Sequence, residues 1–298
     1  MTPPILLACD IPVNETMETV ASPDSSALLG DSAERDYSAK LRHFNAFAQA
    51  ELKLLIASLG AGPGTRVLDV GCGTGEAVGW FQELTGATGL VAGIDLSSAH
   101  IRAARATAPG TTVIAQADML KPPFAPGTFD LIWCVNTLNH LRDRLAGVKT
   151  LAGLLGPGGR LALGQSGFLP EMFFAWDARL ERVVREADRA YYLSRYGLDE
   201  RDTAAVRGLV GLVTSAGLHQ VRARTVVIER LAPLARFDED YLFETIFRGT
   251  WGERLRPYMS PEDYAELTRL CDPHGPDFAL RRPDFHFLQT FTLISARA

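Results

Sequence analysis

The chain has 298 residues, of which 47% are hydrophobic and 22% charged, and its formal net charge at pH 7 is −5. This balance predicts a soluble globular protein, with enough chain for one large α/β core and an inserted cap. An acidic chain without a Lys/Arg block lacks the electrostatic footprint of general nucleic-acid binding, and no apolar run approaches the length of a membrane span.

Residues 1 to about 34 are rich in Pro, Ser and Asp, follow no sustained period and lack the basic start of a signal peptide, so they read as a mobile leader. From Tyr37 to Leu59, the apolar residues Leu41, Phe44, Phe47, Leu52, Leu55 and Ile56 recur at helical spacing and Gly60 ends the run. One amphipathic helix is expected there. Strand and helix signals then alternate. Residues 66–70 read as a strand, 71–75 as a glycine-rich turn and 76–84 as a helix. Residues 90–94 form a second strand ending at Asp95, and Ser97 or Ser98 caps a helix that reaches Ala106. Strands follow at 112–115 and 129–134. A helix over 144–155 ends at the turn Gly156-Pro157-Gly158-Gly159, and 160–164 is a fifth strand. Apolar strands separated by helices indicate a parallel sheet covered on both faces.

Beyond residue 165 the regularity stops. Helices are expected within 168–196, over 203–216 and within 238–271, with breaks near Pro257 and Ser260-Pro261. Strands are expected at 221–228 and 285–294. The cysteines Cys9, Cys72, Cys134 and Cys271 form no Cys-x-x-Cys pair and read as reduced thiols of a cytoplasmic protein, without a disulfide framework or zinc site.

Val67-Leu68-Asp69-Val70-Gly71-Cys72-Gly73-Thr74-Gly75 carries the chemistry. A glycine turn between a first strand and a first helix lets a ligand approach the backbone. A dinucleotide fold wants G-x-G-x-x-G, with pyrophosphate on the helix start. Here the glycines form G-x-G-x-G, with Asp69 two residues before them. A carboxylate there repels pyrophosphate and suits a cationic amino group. Taken singly, Gly73 or Gly75 serves a tight turn equally well, Asp95 caps the next helix, and Cys72 is a small packing residue.

Val67–Gly75 resembles motif I of the class I S-adenosylmethionine (SAM)-dependent methyltransferases. Asp95 matches that family's acidic residue for the ribose hydroxyls. Gln116-Ala117-Asp118-Met119 matches the segment whose Asp meets the adenine amino group, Phe129-Asp130-Leu131-Ile132 the fourth strand, and Leu154–Arg160 the turn into the fifth. The resemblance covers about residues 37–165. It implies a seven-stranded, mostly parallel Rossmann-like sheet with the last strand antiparallel. Residues 35–298 would then form one methyltransferase domain, with helical lid insertions at about 167–202 and 236–280. It implies SAM as cofactor, held by Tyr37, Asp69, Gly71, Cys72, Gly73, Gly75, Asp95, Leu96, Asp118, Met119 and Asn136.

Methyl transfer from a sulfonium needs positioning more than a fixed catalytic motif. Asn136-Thr137-Leu138-Asn139-His140 follows the fourth strand, beside the reactive end of SAM in the family. His140 is the candidate base, or else lines the pocket. Asn136 is not followed by Pro-Pro, which argues against a nucleic-acid base as acceptor. Asp130, Asp143 and Asp177 make no defensible carboxylate cluster, so no metal is expected. The aromatic insertions supply Phe173, Trp176, Tyr192, Phe247 and Trp251 as candidate acceptor contacts, with Phe174, Glu171, Glu244 and Arg248 nearby; the rings serve equally well as the cap's own core. The expected function is methylation of a small hydrophobic or aromatic molecule, at O or C. A SAM-binding cyclase, a protein methyltransferase, against which the long aromatic insertions argue, and a non-catalytic SAM-binding partner protein are the rival readings. The sequence leaves a homodimer open.

Overall fold

The apolar runs lie side by side as the middle of one sheet. A computed structural model describes residues 28, 33–166, 172–173, 176–198 and 205–298. All of the expected leader except Leu28, Ala33 and Glu34 lies outside the described residues, as do Glu171, Phe174 and part of the first insertion. The strands are β1 (Arg66–Val70), β2 (Leu90–Asp95), β3 (Val113–Gln116), β4 (Phe129–Val135), β5 (Leu155–Ser166), β6 (Met172–Phe173), β7 (His219–Leu231) and β8 (His286–Arg297). The order β3-β2-β1-β4-β5 is parallel throughout, and β8 runs antiparallel to β5. Phe287 and Leu288 of β8 pair with both β6 and β7, so these two flank β8 on opposite sides and β6 resumes the line of β5. Seven strand positions result, with β8 the antiparallel one, as expected.

Period-2 alternation divides the side chains between two cores. Val67, Val91, Leu131, Trp133 and Ala162 face one, while Leu68, Ala92, Ile132, Cys134 and Leu163 face the other. The first core is covered by α1 (Ser38–Phe47), α2 (Gln49–Ala57), α3 (Glu76–Thr85) and α4 (Ser98–Thr107), and the second by α5 (Arg144–Gly153) and α6 (Leu209–Ser215). The cap adds α7 (Arg236–Asp240), a π-helix (Tyr241–Trp251), a 3₁₀ turn (Gly252–Tyr258), α8 (Pro261–Cys271) and a long helix αL (Ala178–Tyr196). Asp177 caps αL through the amides of Arg179 and Leu180, and Ser260 caps α8 through that of Asp263.

Three details differ from the sequence reading. The single helix expected over 37–59 is two, divided at Ala48, because the Phe47 carbonyl is taken by the Arg230 guanidinium. β5 begins at Leu155, which pairs with Phe129; the glycine-rich stretch then bulges and pairing resumes at Arg160 opposite Leu131. Met172–Phe173, read as helical, is a strand because β8 extends past β5 and offers free pairing groups there.

Candidate functional site

The turn after β1 follows a path that favours glycine. Gly71 and Gly73 have φ of +73° and +53°, the left-handed region. A Cβ on Gly71 would collide with Thr137, and one on Gly73 would stand 2.8 Å from Leu41 Cδ1. At both positions a neighbouring side chain stands where a Cβ would go, so the turn is closed on that side to any larger residue. The amides of Gly71 and Cys72 donate to the Ile94 carbonyl at 2.7 and 2.9 Å, tying the turn to β2. Cys72 is buried among three carboxyl groups, and burial above all pushes its thiol up. Gly75 has φ +87° and starts α3 against Ala104.

Asp95 ends β2 with its carboxylate already engaged. It accepts from the amides of Gly73 (2.9 Å) and Ser97 (2.8 Å) and faces His100 Nδ1 at 3.2 Å. Three partners leave about one of its roughly four lone-pair positions for a ligand. His100 Nε2 accepts from the Tyr37 amide at 3.3 Å, which assigns the ring proton to Nδ1 and makes it a donor to Asp95. Asp118 spends Oδ1 on the Leu120 amide at 2.8 Å, and Gln116 donates to the Leu96 carbonyl at 3.0 Å.

Asp69 differs from both. It is 3% exposed and accepts no side-chain hydrogen bond from the described residues. Burial, then the neighbouring Asp95 and Glu76, hold its carboxyl well above the ordinary carboxylate range. Glu76 is fixed by Asn45 (2.8 Å) and Thr74 (2.6 Å). Such a group of carboxylates favours a cation and opposes a phosphate.

The segment before α1 crosses this site. Ser97 Oγ donates to the Arg35 carbonyl at 2.6 Å, the Ser98 amide donates to the Ala33 carbonyl at 3.2 Å, and the Tyr37 ring meets His100 edge-on at 4.4 Å. Leu28 bridges to Leu141. The cleft beneath encloses ≈ 690 Å³ of empty space, solvent at its mouth included, and is lined by Tyr37, Gly71, Asp95, Leu96, Asp118, Met119, Asn136 and His140 among others. Eight of the sequence-derived site residues thus meet in one place. Asp69, Cys72, Gly73 and Gly75 stand behind the lining. His100 and Leu28 were missed, Ser97 was read only as a helix cap, and Thr137 only as part of the segment after β4. Nothing in local spacing marks the pairing of His100 with Tyr37 or of Leu28 with Leu141, since those partners lie far off in the chain.

At the end of β4, Asn136 has φ +52°, and its Oδ1 accepts from the amide (2.8 Å) and hydroxyl (3.1 Å) of Ser166. Its side chain therefore latches β4 to β5. His140 closes the short 3₁₀ turn Leu138–His140 and lines the cleft. The neighbouring Asn139 Oδ1 is buried without a hydrogen-bond partner among the described residues.

Four of the five aromatic candidates pack together away from this cleft. Phe173 and Trp176 stack at 4.7 Å, Phe247 and Trp251 at 5.4 Å, and all four are 9% exposed or less. They are the cap's own core, the alternative that the sequence left open. Tyr192 is partly exposed, between Tyr191 at 5.4 Å and Tyr196 at 5.8 Å, and burial first pushes its phenol up to about 12. Glu244 and Arg248 pair with each other at 3.1 Å. Among the described residues no helix is long and apolar enough to cross a membrane.

Residues 68–163 match the methyltransferase domain family. The 27-O-demethylrifamycin SV methyltransferase of Amycolatopsis mediterranei is 35% identical over 112 residues, 36% of this chain and 40% of that one, so the match spans less than half of that relative's length. The malonyl-[acyl-carrier protein] O-methyltransferase of Pseudescherichia vulneris is 34% identical over 198 residues, 60% of this chain and 77% of that protein. The crystal structure of the YcgJ protein from Bacillus subtilis shares the fold with a TM-score of 0.53 at 15% identity, covering 84% of this chain and 98% of that one. The carboxylates around the glycine turn fit the cationic amino-acid end of SAM, and Asp95 and Asp118 fit its nucleoside. The chain belongs to the class I SAM-dependent methyltransferases.

Proposed function

We propose that this chain transfers the methyl group of SAM to a small hydrophobic or aromatic molecule, at oxygen or carbon. The observation that carries this reading is the single cleft in which Asp95, Asp118 and His140 meet. It lies at the carboxyl ends of β2 and β4, the edge at which open α/β sheets bind ligands. The relatives' names, one a rifamycin-type methyltransferase and one an O-methyltransferase of a malonyl thioester carrier, support transfer to a metabolite's oxygen.

When bound, the cofactor supplies an electrophilic methyl group on a sulfonium. The chain's task is to bind, orient and exclude water. Asp69 would face the amino-acid end, Asp95 would take a ribose hydroxyl, and the second oxygen of Asp118 would accept from the adenine amino group. Leu96, Met119 and Tyr37, which line the cleft, would hold the adenine ring. His140 takes the proton from the acceptor's hydroxyl or acidic carbon.

Calorimetric titration with SAM tests the cofactor assignment. Asp95→Ala should weaken binding roughly tenfold to a hundredfold, or about 1–3 kcal/mol, because it strands the ribose hydroxyl and the amides of Gly73 and Ser97. Unchanged affinity would place the ribose elsewhere. Incubation with methyl-labelled SAM and aromatic acceptors tests the chemistry. Label in the product supports methyl transfer, product without label supports a non-methylating enzyme, and binding without turnover supports a partner protein.

A further inference from the structure

Residues 33–37 lie along the start of α4, and three hydrogen bonds fasten them there. The Ser98 amide donates to the Ala33 carbonyl at 3.2 Å, Ser97 Oγ donates to the Arg35 carbonyl at 2.6 Å, and the Tyr37 amide donates to His100 Nε2 at 3.3 Å. Tyr37 lines the cofactor cleft, and Arg35 reaches the last residue of αL, donating to Tyr196 Oη at 3.3 Å. The segment is thus a short strap that joins the wall of the cleft to the cap.

His100 serves this strap with one nitrogen and the cofactor side with the other. Asp95 Oδ1 accepts from the Ser97 amide at 2.8 Å and from His100 Nδ1 at 3.2 Å, which fills its two lone-pair positions. Oδ2 accepts from the Gly73 amide at 2.9 Å and keeps one position for a ligand. A neutral imidazole that donates from Nδ1 accepts at Nε2, so Asp95 and the Tyr37 amide specify the same tautomer. The Tyr37 ring, edge-on at 4.4 Å, packs against the imidazole. His100 is 1% exposed and shares the buried face of α4 with Ile101 and Ala104. An apolar side chain would fill that place without two nitrogens to satisfy, and a buried imidazole is costly unless both are bonded.

We infer that His100 is a positioning residue for cofactor capture. Through Nδ1 it turns Oδ2 of Asp95 toward the ribose, and through Nε2 it latches the strap beside the site. Because the two bonds leave from opposite ends of the ring, the strap can open for cofactor exchange while the carboxylate keeps its orientation. The strap then governs how long the cofactor stays. The inference rests on the assignment of Asp95 to the ribose made above.

The two nitrogens can be removed one at a time. His100→Asn keeps a donor at the Nδ1 position and has nothing at Nε2, whereas His100→Gln keeps an acceptor at the Nε2 position and has no donor at Nδ1. The full chain is loaded with methyl-labelled SAM and chased with S-adenosylhomocysteine. His100→Asn should release label about fivefold to tenfold faster, the effect of one hydrogen bond, with its association rate within about twofold of the unmodified chain. Its Tyr37 amide should exchange hydrogen faster in the loaded protein. His100→Gln should keep the Tyr37 amide protected yet bind SAM about fivefold to tenfold more weakly. One check needs no variant: in the unmodified chain the Tyr37 amide should exchange more slowly with S-adenosylhomocysteine bound than without it. Tyr37 exchange that ignores the ligand overturns the inference. So does an unchanged release rate in His100→Asn, or the same change in release and in Tyr37 exchange for both variants, which would mark His100 as packing alone. If the unmodified chain does not bind SAM, the cofactor assignment falls and this inference falls with it. Normal SAM binding with variants that behave alike overturns this inference alone.

Discussion

Asp69 sets the electrostatics of the glycine turn. Its carboxyl titrates higher in the fold than in the unfolded chain, because burial and then Asp95 and Glu76 oppose its charge. The folded state therefore binds this proton more tightly. As pH rises above the ordinary carboxylate range, the unfolded chain releases the proton first, and the free protein loses stability. A bound cation opposes that loss. Asp69→Asn should raise the Tm of the free protein at neutral pH, and the gain should vanish below the ordinary carboxylate range. The same variant should bind SAM about tenfold more weakly or worse. Thermal melts across pH, paired with calorimetry, check both, and a lower Tm at neutral pH would contradict the assigned sign. His140 makes a kinetic prediction. As a base it must be neutral, so kcat should fall as pH drops through its titration. His140→Ala should lower kcat by about a hundredfold and flatten that limb. A kcat within about threefold, with an unchanged profile, would remove it as the base. These residues were legible because their chemistry lies in contiguous motifs. His100 was not: it acts by relaying Tyr37 onto Asp95, a contact between segments 63 residues apart.

Arg230 shows how elements of this fold are joined. From β7 it bonds Asp238 of α7 at 2.7 Å and Glu51 of α2 at 2.8 Å, takes the Phe47 carbonyl and lies 4.7 Å over the Phe47 ring. Its side chain is 16% exposed, and the two carboxylates it serves are 8% and 15% exposed. Removing it leaves two buried carboxylates facing each other. Arg230→Met should therefore destabilise by about 3–5 kcal/mol. Adding Glu51→Gln and Asp238→Asn should recover part of the loss, which would identify unmatched charge as the cause. Denaturant unfolding measures both, and a loss below about 1 kcal/mol, the size of an exposed pair, would refute it. The same contact explains why the break between α1 and α2 was invisible in sequence: no Pro or Gly marks Ala48, and the cause lies 183 residues away. The strands β1, β2 and β4 were legible because both faces are buried and their apolar runs are nearly continuous. β6 carries no such signal, since its existence depends on how far β8 extends.

The cap and sheet share one core. Phe173, Trp176, Phe247 and Trp251 of the cap belong to the same buried cluster as Val67, Leu131 and Trp133 of the sheet, with Phe287 of β8 4.9 Å from Phe173. Aromatic patterning announced a cap without showing whether its rings faced a ligand or one another, because periodicity reports burial and is silent about the partner. A shared core predicts that the cap does not melt first. The four tryptophans allow a direct check, since Trp80 and Trp133 report the sheet side and Trp176 and Trp251 the cap. Variants carrying Trp→Phe at one pair or the other should unfold with fluorescence midpoints that agree with each other and with circular dichroism. Phe173→Ala, at the junction, should destabilise by about 3–5 kcal/mol and move both reporters together. If the cap tryptophans moved alone, the cap would be a separate folding unit and Phe173 would hold only its own neighbours. If both moved, ordering the cap and ordering the cofactor cleft would be one process, and cofactor at a hundred times its Kd would stabilise both reporters by the same ~2.7 kcal/mol.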